Sequence, residues 1–273
     1  MQRSEADLPG EWQFLPADPR WRFVDRVGHG APVLFLHGGE LDAAMWTPVA
    51  ATAPADQRFV FVEIPRDVRR AEGLLEGVVG VADALGAERF SVVGFAFGGF
   101  VALALLPGHH HRLSGLVLSH TTFDLDKLAL ARKRLGVFRV LPGGVLTWTL
   151  KRKRILRPVE TPWRAWALDY ERRLLDEHID KPLLLARFDG LVELTERFVA
   201  ASRGTERFDT PVLVVDSEDD PTFEPSRAEQ HPLVRQVSTQ VTHRVLPAGQ
   251  GGHHTPLFSP EAWLEVVLPW MGS

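Results

Sequence analysis

The sequence predicts an α/β domain: a mostly parallel central sheet with helices on both faces, and a helical lid inserted after the sixth strand. Three observations lead there. Short β-branched runs alternate with longer helical patterns, as a parallel sheet with crossover helices requires. The alternation lapses from Leu128 to Phe198, where Trp, Arg and Leu recur at helical spacing. Strand signals then return at Val212-Leu213-Val214-Val215. The expected division is a core of residues 1–119 and 206–273 and a lid, or cap, of residues 120–205.

The elements follow in order. Trp21 to Val27 reads as an early strand, and Val33-Leu34-Phe35-Leu36 as a buried one ending in His37-Gly38-Gly39. Phe59-Val60-Phe61-Val62 is the next strand. Apolar residues at 75, 78, 82 and 85 mark a helix from Arg69 to Leu85, with Gly86 suited to stop it. Ser91-Val92-Val93 is a strand, Phe97 to Leu106 a helix of small residues closed by Pro107-Gly108, and Gly115-Leu116-Val117-Leu118 another strand. The helical stretch breaks at Pro142-Gly143-Gly144. A strand at Val241 to Leu246 and a helix from Pro260 to Trp270 complete the pattern, and no internal repeat occurs.

Composition excludes several classes of chemistry. The 273 residues are 45% hydrophobic and 24% charged, ordinary for a soluble globular enzyme. A net charge of −4 gives nucleic acid no purchase. There are no cysteines, hence no disulfide, no thiolate nucleophile and no cysteine-ligated zinc. The start, MQRSEADLPGEW, has no apolar stretch of the kind a signal peptide needs, and no window approaches the length of a membrane span. A cytoplasmic protein with no cofactor is expected; its oligomeric state is left open. Charge is uneven: residues 120–205 hold 17 Lys and Arg against 11 Asp and Glu, a local +6 within an otherwise acidic chain.

The chemistry concentrates in one stretch. Residues 91–99 read Ser-Val-Val-Gly-Phe-Ala-Phe-Gly-Gly, a buried strand passing through Gly-x-x-x-Gly directly into a helix. That is the setting of a nucleophile elbow, where the central residue sits on a strained strand-to-helix turn. Glycines at 94 and 98 keep side chains out of so tight a bend. The central residue should be serine, and here it is Ala96. Three further segments fit the same plan. His37-Gly38-Gly39 stands where a second oxyanion donor belongs, so the Gly39 and Phe97 amides form the natural pair. Val215-Asp216-Ser217-Glu218-Asp219-Asp220-Pro221 leaves a late strand with an acidic cluster, and Gly251-Gly252-His253-His254 follows the last strand.

On these motifs the chain resembles the α/β-hydrolase superfamily from about Trp21 to Trp270. The resemblance implies a triad order of nucleophile, acid and histidine, with Asp220 a better match than Asp219 and His253 a better match than His254. It further implies substrate contacts at His37, Gly38, Phe95, His120, Trp148 and Trp166. A looser likeness, around residues 60–122 and in the lid, is to maspardin-like members, which implies a binding scaffold.

Plainer accounts exist for several features. Asp220 would also serve as a helix cap, and Trp148, Trp163 and Trp166 as lid packing. His109-His110-His111 reads as a solvated loop, since three adjacent histidines converge poorly on one ion. Lys151-Arg152-Lys153-Arg154 point to all sides of a helix, yet would favour a substrate or partner bearing a carboxylate or phosphate. The pocket is expected to be largely apolar.

Alanine has no oxygen to attack a carbonyl, so no acyl-enzyme forms at residue 96. The sequence leaves three readings open. One is a serine-hydrolase site, for an ester, thioester or amide of a small organic or peptide-like substrate, whose serine has been replaced by engineering. The second is a native serine-less site in which His253, held by Asp220, acts as a general base for epimerisation, isomerisation or elimination. The third is a scaffold with no chemistry.

Overall fold

The computed structural model describes residues 8–121, 125–153, 155–157, 159–204, 206–221 and 232–271. Eight strands form one sheet: β1 (Trp12–Phe14), β2 (Arg22–Arg26), β3 (His29–Leu36), β4 (Gln57–Glu63), β5 (Phe90–Phe95), β6 (Leu113–Ser119), β7 (Val212–Ser217) and β8 (Val241–Leu246). Their order is β1-β2-β4-β3-β5-β6-β7-β8. The β1–β2 and β2–β4 pairs are antiparallel and every other pair is parallel. Strands covered on both faces read as unbroken apolar runs, as in Val33–Leu36, Phe59–Val62 and Val212–Val215, all buried. The edge strand β1 has no such run; Phe14 is exposed, and nothing in its pattern marks it as a strand.

Around the sheet lie α1 (Thr47–Thr52), α2 (Ala71–Ala84), α3 (Phe97–Ala104), α4 (Leu106–His109), α5 (Leu125–Val140), α6 (Gly143–Lys153), α7 (Arg164–Arg173), α8 (Lys181–Ser202), α9 (Pro232–Val237), α10 (Thr255–Phe258) and α11 (Pro260–Met271). On one face Val78 of α2, Val101 of α3 and Leu194 and Phe198 of α8 pack against Leu34, Val60 and Val92. The other face is aromatic. Phe35 meets Phe59 at 4.6 Å between ring centroids and Trp46 at 5.1 Å, with Trp263 of α11 behind them. The α2 apolar spacing read from the sequence is its buried face, and Gly86 follows with φ of +65°, the left-handed residue that ends a helix.

One expectation needs correcting. Pro107-Gly108 does not close a helix before a solvated histidine loop. Pro107 occupies the first turn of α4, where its missing N–H costs nothing. A 3₁₀ turn over His110–Arg112 continues from it, and the His110 ring packs on Phe208 at 4.9 Å.

Among the described residues, four helices, α5 to α8, are inserted between β6 and β7. Asp180 caps α8, its carboxylate accepting the Leu183 amide at 2.9 Å. With 22 residues α8 is about 33 Å long, enough to carry the chain from the end of β6 back to the start of β7. Its C-terminal half therefore packs as the crossover helix of the sheet. Among the described residues no helix is long and apolar enough to cross a membrane.

Candidate active site

Each segment singled out by motif emerges from the carboxyl end of a strand, where open parallel sheets place their sites. Ala96 joins β5 to α3 with φ of 45° and ψ of −108°, one of two non-glycine residues with positive φ among those described. A side chain rarely adopts that conformation unless surroundings enforce it. Here the Ala96 amide donates to the Ser119 carbonyl at 3.0 Å, and its own carbonyl accepts from the Gly99 amide and the Thr121 hydroxyl at 3.0 and 3.1 Å. A Cβ on Gly94 would overlap the Gly98 carbonyl, and one on Gly98 would overlap that of Leu36. The bend thus requires both glycines.

Asp220 and His253 meet. His253 Nδ1 donates to Asp220 Oδ2 at 2.8 Å, and both side chains are buried. The rest of the acidic cluster has other partners. Asp219 accepts the Gly249 amide at 2.9 Å and Glu218 the Ala248 amide at 3.1 Å, so these two carboxylates hold the loop that presents His253. The Asp220 carboxylate faces the imidazole. The Phe95 ring lies 5.1 Å from that of His253, which places the turn at residue 96 beside the histidine. A Cβ on Gly39 would stand 3.5 Å from Phe97 Cβ, so the two residues named for the oxyanion pair are neighbours. Phe97 opens α3, and its N–H belongs to the first turn, which has no intrahelical acceptors.

Other residues named from the sequence have different surroundings. His37 is fully buried: Nδ1 donates to the Gly38 carbonyl at 2.8 Å and Nε2 accepts the Ile64 amide at 3.0 Å. Desolvation pushes its pKa down to about 3, so the ring is neutral and latches the loop to β4. Gly38 packs against the Phe95 ring. His120 is buried with φ of 52°, its ring bridging the Ser119 and Ser217 hydroxyls at 2.9 and 2.8 Å. Desolvation holds it down to about 4. Ser217 continues to Thr255 at 2.9 Å and Ser119 accepts from Trp263 Nε1 at 3.0 Å, tying β6, β7 and the histidine loop together. Trp148 is 59% exposed, and Trp166 stacks on Tyr170 at 5.1 Å.

A charged cavity lies apart from residue 96, beside the loop after β3. It measures about 390 Å³ and is lined by Asp42, Glu63, Arg66, Arg173 and His178 among others, without Ala96 or His253. Charged residues gather there because Asp42 and Glu63 hold the loop after β3. Asp42 pairs with Arg173 at 2.8 Å, and Glu63 accepts the Ala43 amide at 2.8 Å. Desolvation, then the nearby Asp42, raise Glu63 to about 8.

Sequence reasoning missed Arg187. From α8 its guanidinium donates to the carbonyls of Ile64, Pro65 and Gly39 at 2.8, 2.9 and 3.3 Å, and lies 5.3 Å from the centre of the Phe97 ring. Desolvation lowers its pKa to about 10, leaving it charged at neutral pH. The available signal was a single cation inside the apolar stretch Pro182-Leu183-Leu184-Leu185-Ala186-Arg187-Phe188. Arg187→Met should cost about 3 kcal/mol or more, because it strips charged donors from buried carbonyls. Lysine should recover little, since a point charge cannot serve three carbonyls in a fork. Urea denaturation checks this; an unchanged midpoint in Arg187→Met would refute it.

Comparison with known proteins matches the fold. A 2-hydroxymuconate semialdehyde hydrolase of Pseudomonas putida is 35% identical over 118 residues, which cover 39% of this chain and 41% of that protein. The chain thus spans under half the length of that curated relative. A thermophilic esterase from Thermogutta terrifontis superimposes with a TM-score of 0.70 at 22% identity, covering 92% of this chain and 93% of that one. A putative acyltransferase from Salmonella enterica gives a TM-score of 0.76 at 16% identity, covering 99% and 98%. The family model described as "Alpha/beta hydrolase family" matches residues 33–266. The chain belongs to the alpha/beta hydrolase family.

Proposed function

We propose that the chain carries a serine-hydrolase-type site for an ester, thioester or amide of a small organic or peptide-like substrate, with the nucleophile missing at residue 96. The observation that carries this reading is the placement of Ala96: a positive-φ turn at the head of α3, beside the Asp220-paired His253. In this reading Ala96 marks a nucleophile elbow, and the Gly39 and Phe97 amides receive the carbonyl oxygen of a bound substrate. Asp220 fixes the His253 tautomer, directing Nε2 to proton transfer. The helices between β6 and β7 act as a lid over the site. Substrate binds, because alanine occupies less space than serine, but no acyl-enzyme forms.

Reaction of the Ala96→Ser chain with a fluorophosphonate probe tests the proposal. Labelling at residue 96, absent from the unaltered chain and from Ala96→Ser/His253→Ala, is the expected result; no labelling of Ala96→Ser would count against it. A second reading follows from the His253–Asp220 pair remaining assembled without a nucleophile. His253 would then abstract a proton from a bound substrate in a non-hydrolytic reaction. Turnover by the unaltered chain that His253→Ala abolishes, together with an inert Ala96→Ser, would select it. A scaffold would bind its ligand equally well with His253→Ala.

A further inference from the structure

The hairpin of α5 and α6 is apolar on two sides. Its inner side is covered: Leu135 and Leu146 are buried, and Phe138 meets Phe188 of α8 edge-on at 5.1 Å. Its outer side is bare. Leu130, Val137, Val140, Val145 and Trp148 are 41% to 80% exposed and make up five of the eight large apolar side chains exposed among the described residues. Lone exposed apolar residues need no explanation, but such a concentration marks an interaction surface.

The same segment is strongly cationic. Residues 127–157 contain ten Lys and Arg and no Asp or Glu. Arg132 and Arg139 are answered by Glu196 and Asp189 of α8, which fasten the hairpin to the body. Lys133, Arg134, Arg152 and Arg157 are exposed. The Arg152 guanidinium sits 5.5 Å from the centre of the Trp148 ring. The tip, Val140-Leu141-Pro142-Gly143-Gly144-Val145, carries no charge, and Val140 within it is 80% exposed.

Two features choose the occupant. A protein interface gathers its apolar residues into a charge-depleted centre with a polar rim. Here Lys133 and Arg134 fall between Leu130 and Val137 on α5, and cations follow Trp148 at the end of α6, so no charge-depleted centre forms. The rest of the chain is acidic, so an anionic surface would attract the hairpin and repel the body, fixing which side faces it.

We propose that the α5–α6 hairpin seats this protein peripherally on an anionic lipid bilayer, with Val140, Val145 and Trp148 entering the interface and Lys133, Arg134 and Arg152 among the headgroups. The proposal does not depend on the chemistry at residue 96.

Co-sedimentation of the full chain with vesicles tests it. On vesicles of phosphatidylcholine and phosphatidylserine (70:30), partitioning should exceed that on pure phosphatidylcholine by about tenfold or more, and should fall steeply in ~0.5 M salt. Lys133→Glu/Arg134→Glu/Arg152→Glu should lower binding to the anionic vesicles by at least about tenfold. Val140→Ser/Val145→Ser/Trp148→Ser should lower it as well with every charge retained. All six side chains are exposed, so both variants should melt as the parent does. Equal partitioning on neutral and anionic vesicles, or no binding to either, would overturn the proposal. So would apolar replacements without effect, which mean electrostatic adsorption alone. A lipid-free dimer dissociated by the serine variant would overturn it too, by assigning the surface to a second copy.

Discussion

Ala96→Ser should raise hydrolysis of an activated ester by about 10³- to 10⁶-fold over the unaltered chain. The upper figure is what a triad loses when its nucleophile is removed. The lower allows for a site whose remaining geometry is not tuned to the test substrate. The turn needs no rebuilding, because residue 96 already holds the positive-φ conformation that an elbow demands and its backbone is tied to Ser119, Gly99 and Thr121. Members of a triad act as a unit, so the gain should vanish in Ala96→Ser/His253→Ala. Ala96→Ser/Asp220→Asn should lose most of the gain, by up to about 10⁴-fold, from wrong tautomer alone. Asp219→Asn in the same background should cost far less, since Asp219 accepts from Gly249 rather than from the imidazole. Initial rates on a p-nitrophenyl ester read all four. Equal losses for Asp219→Asn and Asp220→Asn would contradict the assignment of the acid.

Acid should unfold this protein early. Four imidazoles are held neutral by burial: His37 down to about 3, His120 and His178 to about 4, and His254 well below its ordinary value. Each folded-state pKa lies below the unfolded value near 6.5. The stability tied to each is therefore complete above pH 6.5 and is lost as pH falls toward the folded value. Each contributes ~1.4 kcal/mol per pH unit in that window. Glu63 acts in the opposite sense: raised to about 8, it favours the folded state most at low pH and less as pH rises through 8. It offsets one imidazole between pH 6.5 and its ordinary carboxylate range. The imidazoles outnumber it, so stability should fall steeply as pH drops below about 6. The melting temperature should drop by roughly 10 °C or more between pH 7 and pH 5. A thermal melt series settles it: a flat profile means that these rings are solvated.

The strands were legible in the sequence because strands buried on both faces leave continuous apolar runs, as at Val33–Leu36 and Phe59–Val62. The turn at Ala96 was legible because its glycines are fixed by backbone contact, and His253 and Asp220 by their positions after strands. What escaped depends on partners distant in the chain. Arg187 reaches Ile64 across 123 residues, and no local pattern announces such a contact. The resemblance implies substrate contacts at His37 and His120; the protein itself engages both ring nitrogens of each, and the distant partners, Ile64 and Ser217, leave no local sequence signal. The charged cavity near Asp42 escaped for a similar reason: Glu63 and Arg173, far apart in sequence, converge on one loop.

The length of α8 has a mechanical consequence. One end carries Arg187, bolted to three carbonyls beside the Gly39 loop, and the other carries Leu194 and Phe198, sunk in the core against α3. The helix is a fixed beam, and it cannot swing without dismantling the face of the sheet. Helix α5 is braced to the same beam, through Arg132 to Glu196 and Arg139 to Asp189, so the two move as one, and the π-helical turn Leu174–His178 separates them from α7.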